Sequence, residues 1–346
     1  MLDAAREPAY DALVAAAPAS PLSHTRRWWQ ALAAVGAGEP RCWLALRDGE
    51  LRAALPAFVR RGPLGAVLNS LPFVQSTGGV IAAAGVSADE RAEAAARLGA
   101  AMLQEEVEVA VVVGSPYPSS SSSPSSSPPA SSPWPRPPDF RMSRQTRVLD
   151  LAAPFEPRPS VVWTARKAEK LGPRHRVATT AAEARVVHEL YAASMQRLGV
   201  AAHPWALFEA LQSASPSGPG ARFVWAEVDG EMVSSLILLV HGEVVDYYCV
   251  GNSEAGRRLQ TSTWLCQQEL AAARAAGRRW WNWGASPSPA VHDFKKRWGG
   301  ADLSYVIEGF CLRDVSPWRR LTAAALAAAF PYYFVIPYDW LEGGPP

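Results

Sequence analysis

The sequence predicts an α/β protein of the mixed-sheet (α+β) kind, with one sheet-and-helix unit used twice in tandem. Three observations carry that expectation. The run Arg41-Cys42-Trp43-Leu44-Ala45-Leu46-Arg47-Asp48-Gly49-Glu50 reappears as Arg222-Phe223-Val224-Trp225-Ala226-Glu227-Val228-Asp229-Gly230-Glu231, each a short apolar strand closed by an Asp-Gly-Glu turn. Each is followed by a second apolar run, residues 51–59 and 232–240, which completes a hairpin. Each is preceded by a helix-like stretch that opens on histidine and closes on Ala-Leu, residues 24–32 and 203–211. An echo of this order marks a duplicated unit, so function is expected where the copies diverge or face each other.

With 346 residues the chain is long enough for two domains, each with its own core. The expected limits are residues 1–116 for the first unit, 117–138 for a Ser/Pro loop, 139–312 for the second unit and 313–346 for an apolar C-terminal helix and tail. A net charge of +2 and a pI near 8.4 give no strong field in favour of nucleic acid, and do not exclude it. Cys42, Cys249, Cys266 and Cys311 lack metal-ligand spacing, so buried thiols in a reducing cytosol are expected, with no metal site. Residues 1–10 contain Asp3 and Glu7 and lack an apolar h-region, which argues against a secretory signal. The expected location is the cytoplasm.

The first hairpin is followed by a Gly62-Pro63 turn, a strand near Val67, the segment Leu71-Pro72-Phe73 and Gly78-Gly79. Ser87 caps a helix that runs towards Glu105, and residues 107–113 read as a buried strand. Residues 119–132 are almost wholly serine and proline, too polar to offset their ordering entropy, and read as a disordered surface loop. Order resumes as a strand over residues 144–151.

The second copy starts with a basic amphipathic helix over residues 161–172, then a helix over 186–199. After the second hairpin comes a strand, 244–250, on which Asp246 and Tyr248 share a face by period-two alternation. A helix then runs from Ser262 or Thr263 to Ala276, with Gly277 where a C-terminal cap belongs. Its N-terminus, preceded by Gly256, Arg257, Arg258, Gln260 and Thr261, offers unpaired N–H groups and a positive dipole end, an anion site for a phosphate-bearing donor. A strand over 279–283 and Gly284 lead to a basic turn, Phe294-Lys295-Lys296-Arg297-Trp298-Gly299-Gly300. The apolar run 321–336 is shorter than the roughly 20 residues that a membrane span needs, and Pro331 interrupts it. It reads as a packed tail, with peripheral contact to the inner face of the membrane through Trp318, Arg319, Arg320, Tyr332, Tyr333 and Trp340 as the alternative.

Several of these stretches together resemble the Fem-type peptidyltransferases, the FemAB-like or BioF2-like branch of the GNAT acyltransferase superfamily. They are Leu71-Pro72-Phe73 with Gly78-Gly79, residues 146–151, Arg166-Lys167-Ala168-Glu169-Lys170-Leu171-Gly172, Tyr247-Tyr248 and residues 294–300, spread between Trp28 and Leu312. The resemblance implies tandem GNAT-like N-acyltransferase domains, with a substrate channel between them or across the second. It implies an activated acyl donor, either acyl-CoA or aminoacyl-tRNA, an amine-bearing acceptor, and no tightly bound cofactor. It also places Lys295 near the transfer site with Phe294 beside it. Two departures from the family pattern stand out: Gln75-Ser76-Thr77 occupies the place where an acidic residue often precedes the Gly-Gly, and the charged coiled-coil arm of some tRNA-using members is missing.

Acyl transfer to an amine needs a neutral nucleophile and a stabilised oxyanion. In GNAT-like sheets a backbone N–H supplies the latter where two parallel strands splay, expected here at residues 248–251 beside 281–284. The catalytic candidates are Lys295, Asp246, Tyr248 and Asn282, with His292 a further proton carrier by residue type and substrate assistance an alternative to any dedicated base. Donor-binding candidates are Gly256, Arg257, Arg258, Gln260, Thr261 and Ser262. Substrate-binding candidates are Phe294, Tyr247, Arg166, Lys167, Gln75 and Trp283. The leading expectation is N-acyl transfer from acyl-CoA. An aminoacyl-tRNA-dependent transferase acting on a peptidoglycan precursor or other cell-envelope amine is the second, and a silent scaffold of the same fold the third.

Overall fold

The computed structural model describes all residues except 18, 74–77, 118–131, 213–217, 287 and 343–346. The Ser/Pro run up to residue 131 and Gln75 with its neighbours therefore lie outside the described residues.

Along the chain, helices α1 (Glu7–Ala16) and α2 (Arg26–Ala34) lead into the hairpin β1 (Glu39–Arg47) and β2 (Glu50–Gly62). Then come β3 (Gly65–Asn69), β4 (Ile81–Ala82), α3 (Ala88–Met102), β5 (Val109–Val113) and β6 (Phe140–Asp150). Next are α4 (Pro159–Glu169), β7 (Arg174–Val177), α5 (Ala181–Arg197), α6 (Trp205–Leu211) and the second hairpin, β8 (Gly220–Val228) with β9 (Glu231–His241). The chain continues through β10 (Val244–Asn252), α7 (Glu254–Leu259), α8 (Thr261–Ala275), β11 (Trp280–Ala285), α9 (Pro289–Lys296) and β12 (Ala301–Cys311) to α10 (Ser316–Arg319) and α11 (Ala323–Ala329).

Both hairpins turn through the same geometry. Asp48 and Gly49 have φ of 52° and 83°, and Asp229 and Gly230 repeat those values. Two consecutive left-handed residues suit the right-handed twist of the flanking strands, and Asp-Gly is a pair that tolerates them.

Residues Met1–Gln145 with Leu303–Pro346 form one compact unit, and Thr146–Asp302 the other. In the first, the strand order is β1-β2-β3-β5-β12, with β4 on β2. β3 and β5 are parallel, joined in sequence through α3, whose Ser87 and Glu90 form a capping box. In the second, the later half of β6 is followed by β11, β10, β9, β8 and β7, and β10 runs parallel to β11.

The outer partner of each parallel pair comes from elsewhere in the chain. Beside β5 lies β12, with Ile307 opposite Val113, and beside β11 lies β6, with Leu149 opposite Trp281. Residues 303–311 of β12 and the apolar tail therefore group with the first unit, as do residues 139–145, whereas the sequence placed 139–312 in the second. Strand existence is a local signal and strand partnership is not. Tail residues Leu326, Phe330, Val335 and Ile336 are buried in the first unit's core. No helix among the described residues is long and apolar enough to cross a membrane.

In the second unit, α8 covers one face of the sheet with Trp264, Leu265, Cys266 and Leu270, against Leu236, Leu238, Val245, Trp281 and Trp283. The other face of β8–β10 receives α5 and α6, where Phe208 meets Phe223. By alternation Asp246 points away from Val245 and the α8 side.

Candidate active site

The parallel pairing of β10 with β11 covers three positions only: Val244 with Trp280, Val245 with Trp281, and Asp246 with Asn282. Immediately beyond, both strands are irregular. β10 carries an extra residue against β9 between Tyr247 and Cys249, and β11 shifts register against β6 between Asn282 and Ala285. Gly284, at φ 72°, takes up the second irregularity in a conformation that costs an L-residue energy. The two strands part here because each bulges at the same level, and bulges at such places re-aim side chains and end pairing.

Asn282 organises the parting. Its side-chain oxygen accepts from the Gly284 N–H at 2.9 Å and from the Thr146 hydroxyl at 2.7 Å. With the oxygen so occupied, its amide nitrogen donates to the Asp246 carboxylate at 2.8 Å. The bond to a residue two positions on is the local turn that asparagine favours. Asp246 is only 9% exposed. Burial lifts its carboxyl from 3.8 to about 7, against the opposing pull of the Asn282 bond. A carboxyl that titrates near neutrality at a strand gap is suited to proton transfer.

Lys295 stands on α9, not in a turn. Ser288 caps this helix and Pro289 begins it. The Lys295 side chain is 5% exposed, and its Nζ donates to the carbonyls of Gly284 at 3.0 Å and Ala285 at 2.7 Å. Burial lowers this ammonium to about 8. The lysine thus clamps the backbone that follows the β11 bulge. Phe294 is half-buried and meets Trp283 and Trp298 edge-on, at ring separations of 6.1 and 6.3 Å.

Asp246, Asn282 and Lys295 are thus brought to one locus through residues 282–285. Tyr248 is the extra residue of β10; its ring stacks on His203 at 5.2 Å and meets Phe208 at 6.0 Å. Trp283 and Tyr247, expected to touch substrate, point into the α8-side core instead, with Trp283 only 1% exposed. His292 faces Asp302 at 3.7 Å, and His188 Nε2 donates to the His203 carbonyl at 2.9 Å. Arg166 and Lys167 lie on the exposed face of α4.

At the expected donor site, Gln260 has φ 58° and ends α7 as it begins α8, whose first turn has no side-chain cap from Gln260. Arg257 and Arg258 are exposed just before that N-terminus, and Ser262 is half-buried. Gly256 packs flush on β9: a Cβ there would lie 2.0 Å from the Val233 carbonyl oxygen. Thr261 is engaged with Ser234, oxygen to oxygen at 2.6 Å, and Ser234 donates to Asn252 at 2.7 Å. This network anchors the turn and leaves the two arginines exposed beside the α8 N-terminus, where the dipole end is positive.

Burial raises the cysteine thiols and keeps them protonated, with Cys311 the one that is only half-buried. Cys42, Cys249 and Cys266 are buried, and burial lifts Cys42 to about 12 and the other two further. Sequence reading missed Thr146, whose only outward signal is a hydroxyl at the start of an apolar strand segment. It also missed the buried carboxylate Glu269, held by Arg222 at 2.9 Å and His175 at 2.7 Å.

Residues 163–296, lying within the second unit, match the family model for an acetyltransferase (GNAT) domain. The second unit thus carries a GNAT-type acyltransferase domain. Such a domain takes an acyl donor and an amine acceptor. Among solved structures, FemX superposes on this GNAT protein with a TM-score of 0.64 at 13% identity, covering 88% of this chain and 96% of FemX. The C-terminal domain (DUF2156) of a putative lysylphosphatidylglycerol synthetase from Agrobacterium fabrum gives 0.55 at 10% identity, covering 96% and 99%. The L-PGS structure from Bacillus licheniformis gives 0.52 at 10% identity, covering 89% and 97%. At these identities the likeness is one of fold, and it is the fold that the Fem-type resemblance implies. No curated protein matches the chain.

Proposed function

We propose that the protein transfers an acyl group from acyl-CoA to an amine at the parting of β10 and β11. The observation that carries this reading is the end of strand pairing immediately after a buried Asp246–Asn282 contact, inside a GNAT domain. The donor carbonyl would lie in the gap, where β10 backbone beyond Asp246 is no longer paired to β11 and a main-chain N–H can meet the developing oxyanion. Asp246 takes the proton that the neutral amine loses on attack, and as the C–S bond breaks that proton passes on to the departing thiolate, leaving amide, free thiol and the Asp246 carboxylate restored. Asn282 aims the carboxylate. Lys295 holds residues 284–285 and so sets the width of the gap. Donor phosphates would meet Arg257, Arg258 and the α8 N-terminus.

The modest net charge of +2 favours a thioester donor over tRNA. The second reading is aminoacyl transfer from aminoacyl-tRNA to a cell-envelope amine. It draws on the fold shared with FemX and with the domain of a putative lysylphosphatidylglycerol synthetase, a name that joins an amino acid to a phospholipid. A mass-spectrometric donor screen separates the two. Acylation that survives RNase and requires thioester supports acyl-CoA, and acylation abolished by RNase overturns it.

A further inference from the structure

α4 is amphipathic in an unusual way. Its inner face, Val161, Ala165 and Ala168, is buried. The opposite face presents Trp163, Arg166, Lys167 and Lys170, spaced i, i+3, i+4 and i+7, the spacing of one helical stripe. Trp163 is 64% exposed and Leu171, one turn beyond Lys167, is 43% exposed. The Lys167 ammonium sits 5.4 Å from the centre of the Trp163 ring. Arg158 and Arg174 stand exposed just before and after the helix. Some exposed arginines on other helices pair with acids one turn away, as Arg185 does with Glu189 and Arg97 with Glu93. Among the described residues, no carboxylate lies within ion-pair distance of Arg158, Arg166, Lys167, Lys170 or Arg174. The one acid of the helix, Glu169, sits on its flank.

An exposed tryptophan and leucine within a stripe of cations that no acid neutralises form a surface complementary to an anionic, partly apolar partner. We propose that this face of α4 docks the protein on an anionic phospholipid bilayer. The Trp163 indole would sit at headgroup depth, Leu171 just below it, and the four-carbon lysine stems would let their charges remain with the phosphates. A convex helix provides no groove along which a nucleic-acid strand could be tracked, and an exposed leucine gives a base nothing to stack on, so a bilayer fits better than RNA. One indole and one leucine make a weak apolar anchor, so attachment is reversible and dominated by charge. It weakens with salt. The inference does not depend on the proposed transfer reaction.

Vesicle flotation of the full chain tests it without donor or acceptor. Phosphatidylcholine vesicles are compared with vesicles containing about one-third phosphatidylglycerol, at low and at physiological salt. The expected result is flotation with the anionic vesicles alone. A variant carrying Arg166→Ser, Lys167→Ser and Lys170→Ser is expected to partition about a hundredfold more weakly, at about fivefold per charge. Trp163→Ser, a single exposed change, gives a milder loss and remains informative should the triple variant fold poorly by circular dichroism. The proposal is overturned if the wild-type chain ignores both vesicle types or floats equally with both. It is also overturned if both variants float as the wild type does, or if a tRNA pool binds through these residues while vesicles do not.

Discussion

The molecule contains the same parallel strand pair twice, and the two copies end differently. In the first unit β3 and β5 pair as far as Asn69 and Val111; in the second, β10 and β11 pair as far as Asp246 and Asn282. Two residues further along the downstream strand, an N–H needs an acceptor in each. In the first unit the Val113 N–H goes to the Ser70 hydroxyl at 2.8 Å, across to the neighbouring strand, which keeps the pair together. In the second the Gly284 N–H goes to Asn282 of its own strand, which frees β10 to part. The first copy is also filled: a Cβ on Gly78 would lie 2.7 Å from the Val113 carbonyl and 2.8 Å from the Ser70 hydroxyl. Where the second copy has a titratable carboxyl, the first has Asn69, whose amide donates to Phe334 O and accepts from Phe334 N, both at 2.7 Å. The place of this acceptor, on the neighbouring strand in one copy and on the same strand in the other, goes with the two bulges of β10 and β11 in distinguishing a closed copy from an open one. The GNAT model matches the open copy alone.

The largest effect expected from breaking this contrast is at the acid. Asp246→Asn keeps the shape and the Asn282 contact but removes the base, and is expected to slow single-turnover acylation about a hundred- to ten-thousand-fold. Adding Asn69→Asp to that variant should recover nothing; recovered transfer would mean that the first copy is competent. Next is Lys295→Met, which leaves the buried carbonyls of Gly284 and Ala285 without their donor. It is expected to cost about 1–3 kcal/mol in urea unfolding and to lower kcat with the 284–285 backbone loosened. Unchanged kcat in a folded Lys295→Met protein would remove the clamp from the account.

A smaller effect concerns pH. Burial raises the Asp246 carboxyl to about 7, so kcat/KM is expected to climb with pH and level off above that value. Asn282→Ala removes the hydrogen bond that favours the carboxylate, so the rising limb should move to higher pH, and a limb that stays put would deny Asn282 its role. The same shift has a stability consequence. Because the folded value lies above the ordinary 3.8, this group favours folding most in acid, and that contribution is lost as pH rises through about 7. The smallest effect is Ser70→Ala, expected to cost about 1 kcal/mol in unfolding without slowing transfer.

Much of this was legible beforehand for particular physical reasons. Asp48-Gly49 and Asp229-Gly230 announced their turns because few other pairs accept two left-handed residues in succession. Ser87 with Glu90 announced the start of α3 because the capping box is written within one turn. A splay at residues 248–251 beside 281–284 is expected from the resemblance, whereas the end of pairing at Asp246 and Asn282 and the two bulges at that level depend on neighbours in β9 and β6 that local pattern does not name. The resemblance places Lys295 near the transfer site, within a basic turn that also holds Lys296 and Arg297; its burial follows from the pitch of α9, which turns one of three consecutive cations inward. Tyr247 and Trp283 look like ligand-facing aromatics in sequence, and strand alternation sends them to the α8 side.

Turn chemistry, helix caps and the apolar runs were written locally, since each rests on residues a few positions apart competing for the same backbone groups. The choice of outer strand for each half, the meeting of Thr146 with Asn282 and the titration of one aspartate near neutrality were not. They depend on which distant segments share a sheet and exclude water together, and burial acts on a charge through its whole surroundings, whatever residues adjoin it in the chain.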